Sequence, residues 1–405
     1  MSAHVILQWA LLLPVIGGSV YAVLCLWSAF RFRRSFRVPV PPGNCQWPPV
    51  SILKPVCGLE KNLRENLRSS CLQDYPSYQV VFCVQNPGDS ALPVLWDLQQ
   101  EFGSQRVTVA IDQQRPGGNG KINNLLGGLV QAKHDIIVIS DSDILLPPAY
   151  LKSIVPALAD PTVGCVCTPY RAVATGTWFE KMELLSFNAD FVPNVIFAQT
   201  TGASSFCLGA STALTRASLE RIGGLASLAD YLVEDYEMGR RTAASGKRIV
   251  LVPPIVDTTV DLQTAAQWWA HQVYWDQNTR AARPIGFFFT ILTRAIPFAL
   301  AFAAVRLADP LGLTVLATAV AVRLLTAGGI MHVLLKDREG LRALHLLPFR
   351  DLAALVSWLL AITKRTTTWR GSEFLLTRDG RLVAKDAESC AHSSSPETIS
   401  ASLSR

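Results

Sequence analysis

The chain has 405 residues, half of them hydrophobic, with a mean hydropathy of +0.27 and a formal net charge of +6. That length admits one large domain or two ordinary ones, and the apolar fraction is high for a soluble enzyme. Nine cysteines, an odd number scattered without metal-type pairs, argue against a disulfide framework and fit a reducing compartment.

Residues 1–34 are predicted as an N-terminal transmembrane anchor. Val5 to Phe30 carries no charge and is long enough to cross a ~30 Å hydrocarbon core. A signal peptide is the rival reading, but its apolar region would be shorter and would end in small residues. Here the stretch runs into Arg31, Arg33, Arg34 and Arg37. Positive flanks stay cytosolic, so the long segment after Arg37 is expected on the cytosolic side of an integral membrane protein. The net positive charge then points to anionic headgroups, and no nucleic-acid partner is expected.

Residues 35–48 form a Pro-rich linker. From 49 to 260 the pattern is α/β. Val50–Leu53, Gln79–Val84, Val107–Ile111, Asp135–Ser140 and Arg248–Val252 are short apolar runs. They alternate with helix-like segments such as Leu59–Cys71 and Ala91–Phe102, a pattern that predicts a mostly parallel, two-faced sheet. Such sheets bind ligands beyond the carboxyl ends of their strands.

Residues 261–285 are predicted as an interfacial amphipathic helix, with Trp268, Trp269, Tyr274 and Trp275 suited to the headgroup level. Residues 286–364 hold three apolar stretches, Phe287–Val305, Leu311–Leu335 and Leu346–Ile362, read as C-terminal transmembrane or re-entrant helices. Each contains an arginine, Arg294, Arg323 and Arg350, and such charges usually face protein or water. Residues 365–385 are expected as an amphipathic segment, and 386–405, rich in serine, as a disordered tail. No internal repeat is visible.

Four local signals carry chemistry. Asp141-Ser142-Asp143 directly follows the run ending at Ser140. Two carboxylates so spaced suit Mg2+ or Mn2+ held against a diphosphate; a solvated turn is the plain alternative. Glu234-Asp235 precedes a helix-like stretch and offers a general base for the acceptor hydroxyl, or merely favourable charge at a helix start. Asp89, after the second apolar run, suits the uracil or ribose of a nucleotide, or simply a turn. Gly117-Gly118-Asn119-Gly120-Lys121 allows close backbone approach and suits Lys121 to a phosphate, yet lacks P-loop spacing; a flexible surface loop is the plain alternative.

In this order the pieces resemble the ceramide glucosyltransferases. The resemblance runs from about residue 49 to 283. Ile52-Leu53-Lys54-Pro55, Gln73-Asp74-Tyr75-Pro76, Phe82-Cys83-Val84-Gln85, Lys121-Ile122-Asn123-Asn124-Leu125, Asp141-Ser142-Asp143 and Glu234-Asp235-Tyr236 carry it. It implies a GT-A catalytic domain and an inverting hexosyltransferase, with UDP-glucose as donor and ceramide as lipid acceptor. A related reading has UDP-N-acetylglucosamine and a hopanoid. It implies donor-binding roles for Asp89, Lys121, Asn123, Asn124, Asp141 and Cys207, a metal at Asp141, and Asp235 as base; Asp143 stands where the animal enzymes tend to have glycine, a departure that should strengthen metal binding. Glu234, His271, Tyr274 and Trp275 are implied on the acceptor side. The family's Gln/Arg-x-x-Arg-Trp motif reads His271-Gln272-Val273-Tyr274-Trp275 here, so a fixed cation is lost and His271 would compensate only when protonated.

Overall fold

The computed structural model describes residues 2–34, 47–173, 176–252, 254–369, 372–377 and 379–384. Most of the Pro-rich linker and the whole serine-rich tail lie outside these described residues.

Ten strands build the catalytic part: β1 (Val50–Pro55), β2 (Tyr78–Val84), β3 (Val107–Ile111), β4 (Ile136–Ser140), β5 (Ile144–Leu145), β6 (Val163–Cys167), β7 (Tyr170–Val173), β8 (Ser211–Thr215), β9 (Arg248–Leu251) and β10 (Val256–Thr259). Seven form one sheet in the order β3-β2-β1-β4-β8-β6-β9. β1 is parallel to β2 and β4, and β3 is parallel to β2. β8 runs antiparallel to β4 and β6. The helices Leu63–Cys71, Leu92–Phe102 and Gly120–Gln131 connect the parallel strands. Residues β1, β2, β4 and β6 are buried along their whole length, as expected for strands covered on both faces. A small sheet, β5-β10-β7, lies beyond the end of β4.

The five predicted strands are all present. β8 escaped because three of the five residues in Ser211-Thr212-Ala213-Leu214-Thr215 are polar and there is no run of branched aliphatics. Tertiary pairing, not propensity, makes it a strand.

Ala3–Arg34, Pro310–Leu335 and Arg338–Thr363 are long and apolar enough to cross a membrane. Ile6, Leu13, Val20, Trp27, Leu313 and Leu359 on them are exposed, the surface lipid would cover. Phe287–Val305 is not one straight helix: Pro284–Thr293 and Ala295–Val305 meet at a 54° bend. The three arginines converge. Arg294, Arg323 and Arg350 all contact the Asp190 carboxylate, and Arg323 and Arg350 also reach Asp351.

One expectation changes, at 365–385. The helix Ala265–Ala282, opened by a Thr264–Gln267 capping box, turns one side into protein. Trp268, Gln272, Val273 and Gln277 are buried, and Arg280 donates to the carbonyls of Ile362 and Lys364. Buried amides spend their hydrogen bonds on neighbouring segments, which periodicity alone does not reveal. The segment 365–385 holds a three-stranded antiparallel sheet, β11 (Thr366–Trp369), β12 (Ser372–Leu376) and β13 (Leu382–Ala384). It docks on the catalytic part, where Leu232 N donates to Gly380 O and Leu382 N to Asp230 O.

The cysteines are not all scattered. Cys165, Cys167 and Cys207 bring their sulfurs within 4.8 Å of one another in the core. Cys207 comes from a distant loop, so spacing in the sequence hides the cluster.

Candidate active site

The Asp141-Ser142-Asp143 turn leaves the sheet at the end of β4, and a wholly buried lysine fixes it. Lys54 on β1 donates to the carbonyl oxygens of Asp141 at 2.8 Å and Ile144 at 3.0 Å. Burial lowers its pKa to about 8, partly offset by Asp143 and Asp141, so it remains charged at neutral pH. Sequence reading quoted Lys54 without giving it a role. The signal available was a lysine inside a strand otherwise buried and apolar. Ser142 Oγ donates to Glu60 at 2.6 Å. Asp143 Oδ2 accepts from Thr258 Oγ1 of β10 at 2.7 Å.

Lys121 stands in the first turn of the helix Gly120–Gln131. Asn119 caps that helix, its Oδ1 accepting from the amides of Lys121 and Ile122, the usual service of an N-cap side chain. Lys121 Nζ lies 2.7 Å from Asp141 Oδ1 and 2.9 Å from Glu234 Oε1. Burial opposes its charge, yet Asp141, Glu234 and Asp235 hold its pKa well above the ordinary lysine value. A single ammonium therefore ties the strand-end carboxylate to the distant acidic pair.

Asp235 is the second residue of the helix Glu234–Ala244. Its Oδ1 accepts from Tyr236 N at 2.7 Å. A Cβ at Gly209 would meet Asp235 Oδ2 at 3.0 Å and Lys121 Nζ at 3.4 Å, and a Cβ at Gly239 would meet the backbone of Phe206 and Cys207 at 2.3–2.4 Å. Two glycines thus let the helix and the loop before β8 close together. Burial and the Glu234 charge push the Asp235 pKa up to about 7, against the pull of Lys121. Burial pushes Asp141 up to about 6, with Lys121 opposing and Asp143 adding to the rise. Asp143 is raised too, chiefly by burial, although the Thr258 bond lowers it.

Such carboxylates fit a divalent cation. Asp141 and Asp143 present hard oxygen donors that repel each other and resist ionisation alone, and Asp141 keeps 32 % of its side chain exposed at the cleft floor. Among the described residues no third acid or imidazole completes a cluster there. Two carboxylates with the remaining positions left to phosphate and water match the habits of Mg2+ and Mn2+.

The other expected residues divide. Asp89 holds backbone, accepting from Gly58 N at 2.9 and 3.0 Å and Ala91 N at 2.8 Å. Asn123 and Asn124 are buried, and their amides hold backbone: Asn123 exchanges hydrogen bonds with Gly117, and Asn124 donates to Val56 O. Cys207 does not present its thiol to the cleft. It is 2 % exposed, with its sulfur 3.0 Å from that of Cys165.

His271, Tyr274 and Trp275 share a face of the helix Ala265–Ala282. His271 Nδ1 lies 2.9 Å from Glu183 Oε1, and Trp275 Nε1 donates to His271 Nε2 at 3.2 Å. Burial opposes a charge on His271, but Glu183 more than offsets it and raises the pKa. Its ring is thus committed to neighbours, not poised as a replacement for the missing arginine. Tyr274 lies near enough to Glu234, Lys121 and Asp235 to feel their charges. Trp275 packs edge-on against Phe187, with ring centroids 5.2 Å apart.

This geometry has counterparts. The model of "Glycosyl transferase family 21" matches residues 10–382. The chain belongs to that family. Ceramide glucosyltransferase 1 of Caenorhabditis elegans is 24 % identical over 230 residues, 56 % of this chain and 48 % of that one. Ceramide glucosyltransferase 3 of the same organism is 28 % identical over 208 residues, 49 % and 43 % of the two chains. The family 21 chain therefore spans about half the length of the curated relatives it matches. The mannosyltransferase PcManGT from Pyrobaculum calidifontis, solved with GDP-Man and Mn2+, aligns with a TM-score of 0.51 at 23 % identity, over 87 % of this chain and 98 % of its own. That likeness bears out the GT-A fold.

Proposed function

We propose that this family 21 chain transfers glucose from UDP-glucose to the primary hydroxyl of ceramide, with inversion, at the cytosolic face of a membrane. The observation that carries the reading is Asp235, a buried carboxylate with its pKa near 7, joined through Lys121 and Glu234 to the Asp141 strand end. The relatives named ceramide glucosyltransferase support glucose and ceramide, and Arg31, Arg33 and Arg34 after the first span support the orientation.

Asp141 and Asp143 would hold Mg2+ or Mn2+, which when bound supplies positive charge to the departing nucleoside diphosphate. Asp89 fixes the Gly58 turn at the nucleotide edge of the cleft. Lys121 places its charge between Asp141 and Glu234 and opposes the rise in the Asp235 pKa. Asp235 accepts the proton of the acceptor hydroxyl as its oxygen bonds to the anomeric carbon and the bond to the diphosphate oxygen breaks. A base whose pKa lies near the working pH suits this transfer.

The test is product analysis. Purified full-length protein with UDP-glucose, ceramide and Mn2+ should yield β-glucosylceramide, identified by mass spectrometry and by the anomeric proton coupling. An α-linked product would overturn inversion. No sugar transfer to ceramide from any nucleotide sugar would overturn the reading.

A further inference from the structure

Behind Trp275 lies a cavity of about 170 Å³. Its walls come from three membrane-length helices: Tyr21 and Cys25 from the first, Arg323 and Ala327 from the second, Asp351 and Ala354 from the third. Thr293 and Arg294, also in the wall, stand at the 54° break between the two bent helices. Gly18 of the first span sits tight on this break, since a Cβ there would meet Thr293 O and Ala295 N at 3.0 Å. Broken backbone at membrane depth is tolerated where it lines a cavity, and such breaks mark binding sites.

Phe187, Phe191 and Trp275 line the cavity. Phe187 and Phe191 pack on Tyr170, with centroids 5.7 and 5.0 Å apart. Tyr170 also feels the charges of Asp235, Asp141 and Asp143. Tyr170 therefore touches rings that line the cavity and lies near the catalytic acids.

Its charge is selective. The wall holds four acids, Glu183, Asp190, Asp276 and Asp351, against Arg294, Arg323 and Arg350. All three guanidinium groups are already paired with Asp190, so the formal balance is −1 and no cation is spare for a phosphate. Hydrogen-bonding groups remain. Arg294 Nε is buried with no acceptor among the described residues, and Tyr21 with Asn194 and Ser357 with Asp276 form hydrogen-bonded pairs in the wall.

We propose that this cavity seats the polar head of the acceptor, an uncharged lipid with amide and hydroxyl groups, whose tails run among the apolar spans. The proposal rests on the lipid-acceptor reading above and adds where the lipid sits and why an anionic lipid is refused. Arg294 Nε donates to the lipid's carbonyl, and the reacting hydroxyl passes the Trp275 edge toward Asp235.

A photoactivatable ceramide, incubated with full-length wild-type protein in nanodiscs, should label peptides containing Tyr21–Cys25, Thr290–Arg294 or Ala354–Ser357. Excess unlabelled ceramide should compete, and a polyprenyl phosphate at the same concentration should not. Labelling confined to outward positions such as Ile16 or Leu359, or equal competition by the phosphate, would overturn the proposal. Ala354→Phe, which fills the cavity, should raise the KM for ceramide at least tenfold and leave the KM for UDP-glucose within twofold. An unchanged ceramide KM in a folded variant would also overturn it. If the variant does not fold, the wild-type labelling decides. If no lipid receives sugar at all, the parent reading fails, and the labelling still tests the cavity by itself.

Discussion

Lys54 reaches from the middle of the sheet to the main chain of Asp141, donating to its carbonyl oxygen at 2.8 Å. The strand-end turn is thereby held from below by a charge that never meets solvent. Lys54→Met keeps the length and removes the donor. Two carbonyls then lose a buried partner, at about 1–3 kcal/mol each before relaxation, offset in part by relief of the buried charge. We expect a folded protein with a small change in melting temperature and a loss of turnover of about 10²-fold, the usual effect of an ångström-scale displacement of reacting groups. Steady-state kinetics beside thermal unfolding check this; wild-type turnover would mean that the turn holds itself.

Asp235→Asn removes the proposed base while keeping the shape. Turnover should fall by about 10²–10⁴-fold. Wild-type kcat/KM should rise with pH through an inflection near 7, because below that value Asp235 carries a proton. The folded pKa lies above the usual carboxylate value, so this group's contribution to stability is lost as pH rises between the two. At pH 8 the asparagine variant should therefore melt no lower than wild type. A pH-independent profile between 5 and 9 would reject Asp235 as the titrating base.

Thr258 holds Asp143 through a 2.7 Å hydrogen bond. Thr258→Val should weaken Mn2+ affinity by about 10-fold, the scale for losing a partner that orients a metal ligand. Titration of free Mn2+ by electron paramagnetic resonance reads this without any turnover. An affinity equal to wild type would place Asp143 outside the metal site.

Gly209→Ala sets a methyl group 3.0 Å from Asp235 Oδ2. The backbone at Gly209 does not need a left-handed conformation, so the harm is local crowding. Turnover should drop by at least tenfold, because the base and the Lys121 ammonium are the groups nearest the methyl; wild-type turnover would mean that neither needs its present position.

Most of the frame was legible because its strands are covered on both faces. Val, Ile and Leu then cluster in β1, β2 and β4 with few polar breaks, a pattern that survives in a single sequence. β8 carries polar residues whose burial is decided only when β4 and β6 flank it. The membrane helices were legible by length, but the bend at Arg294 was not, since hydropathy is blind to direction. At the candidate site, Asp141, Lys121, Glu234 and Asp235 stood out as charges where apolar segments end, and the structure gathers them. Asn123, Asn124 and Cys207 were drawn in by their neighbours in sequence. Their side chains turn to backbone and core, a choice made by helix phase and by partners distant along the chain. Lys54 and Thr258 passed unnoticed because their importance lies wholly in what they touch.

Asp190 lies more than a hundred residues before the first of the three arginines it binds. During synthesis the helices bearing Arg294, Arg323 and Arg350 emerge one after another into a bilayer that tolerates an isolated guanidinium poorly. The catalytic half is made first and carries the counter-ion with it. Each of the three later arginines therefore finds its counter-ion only on a part of the chain made before it.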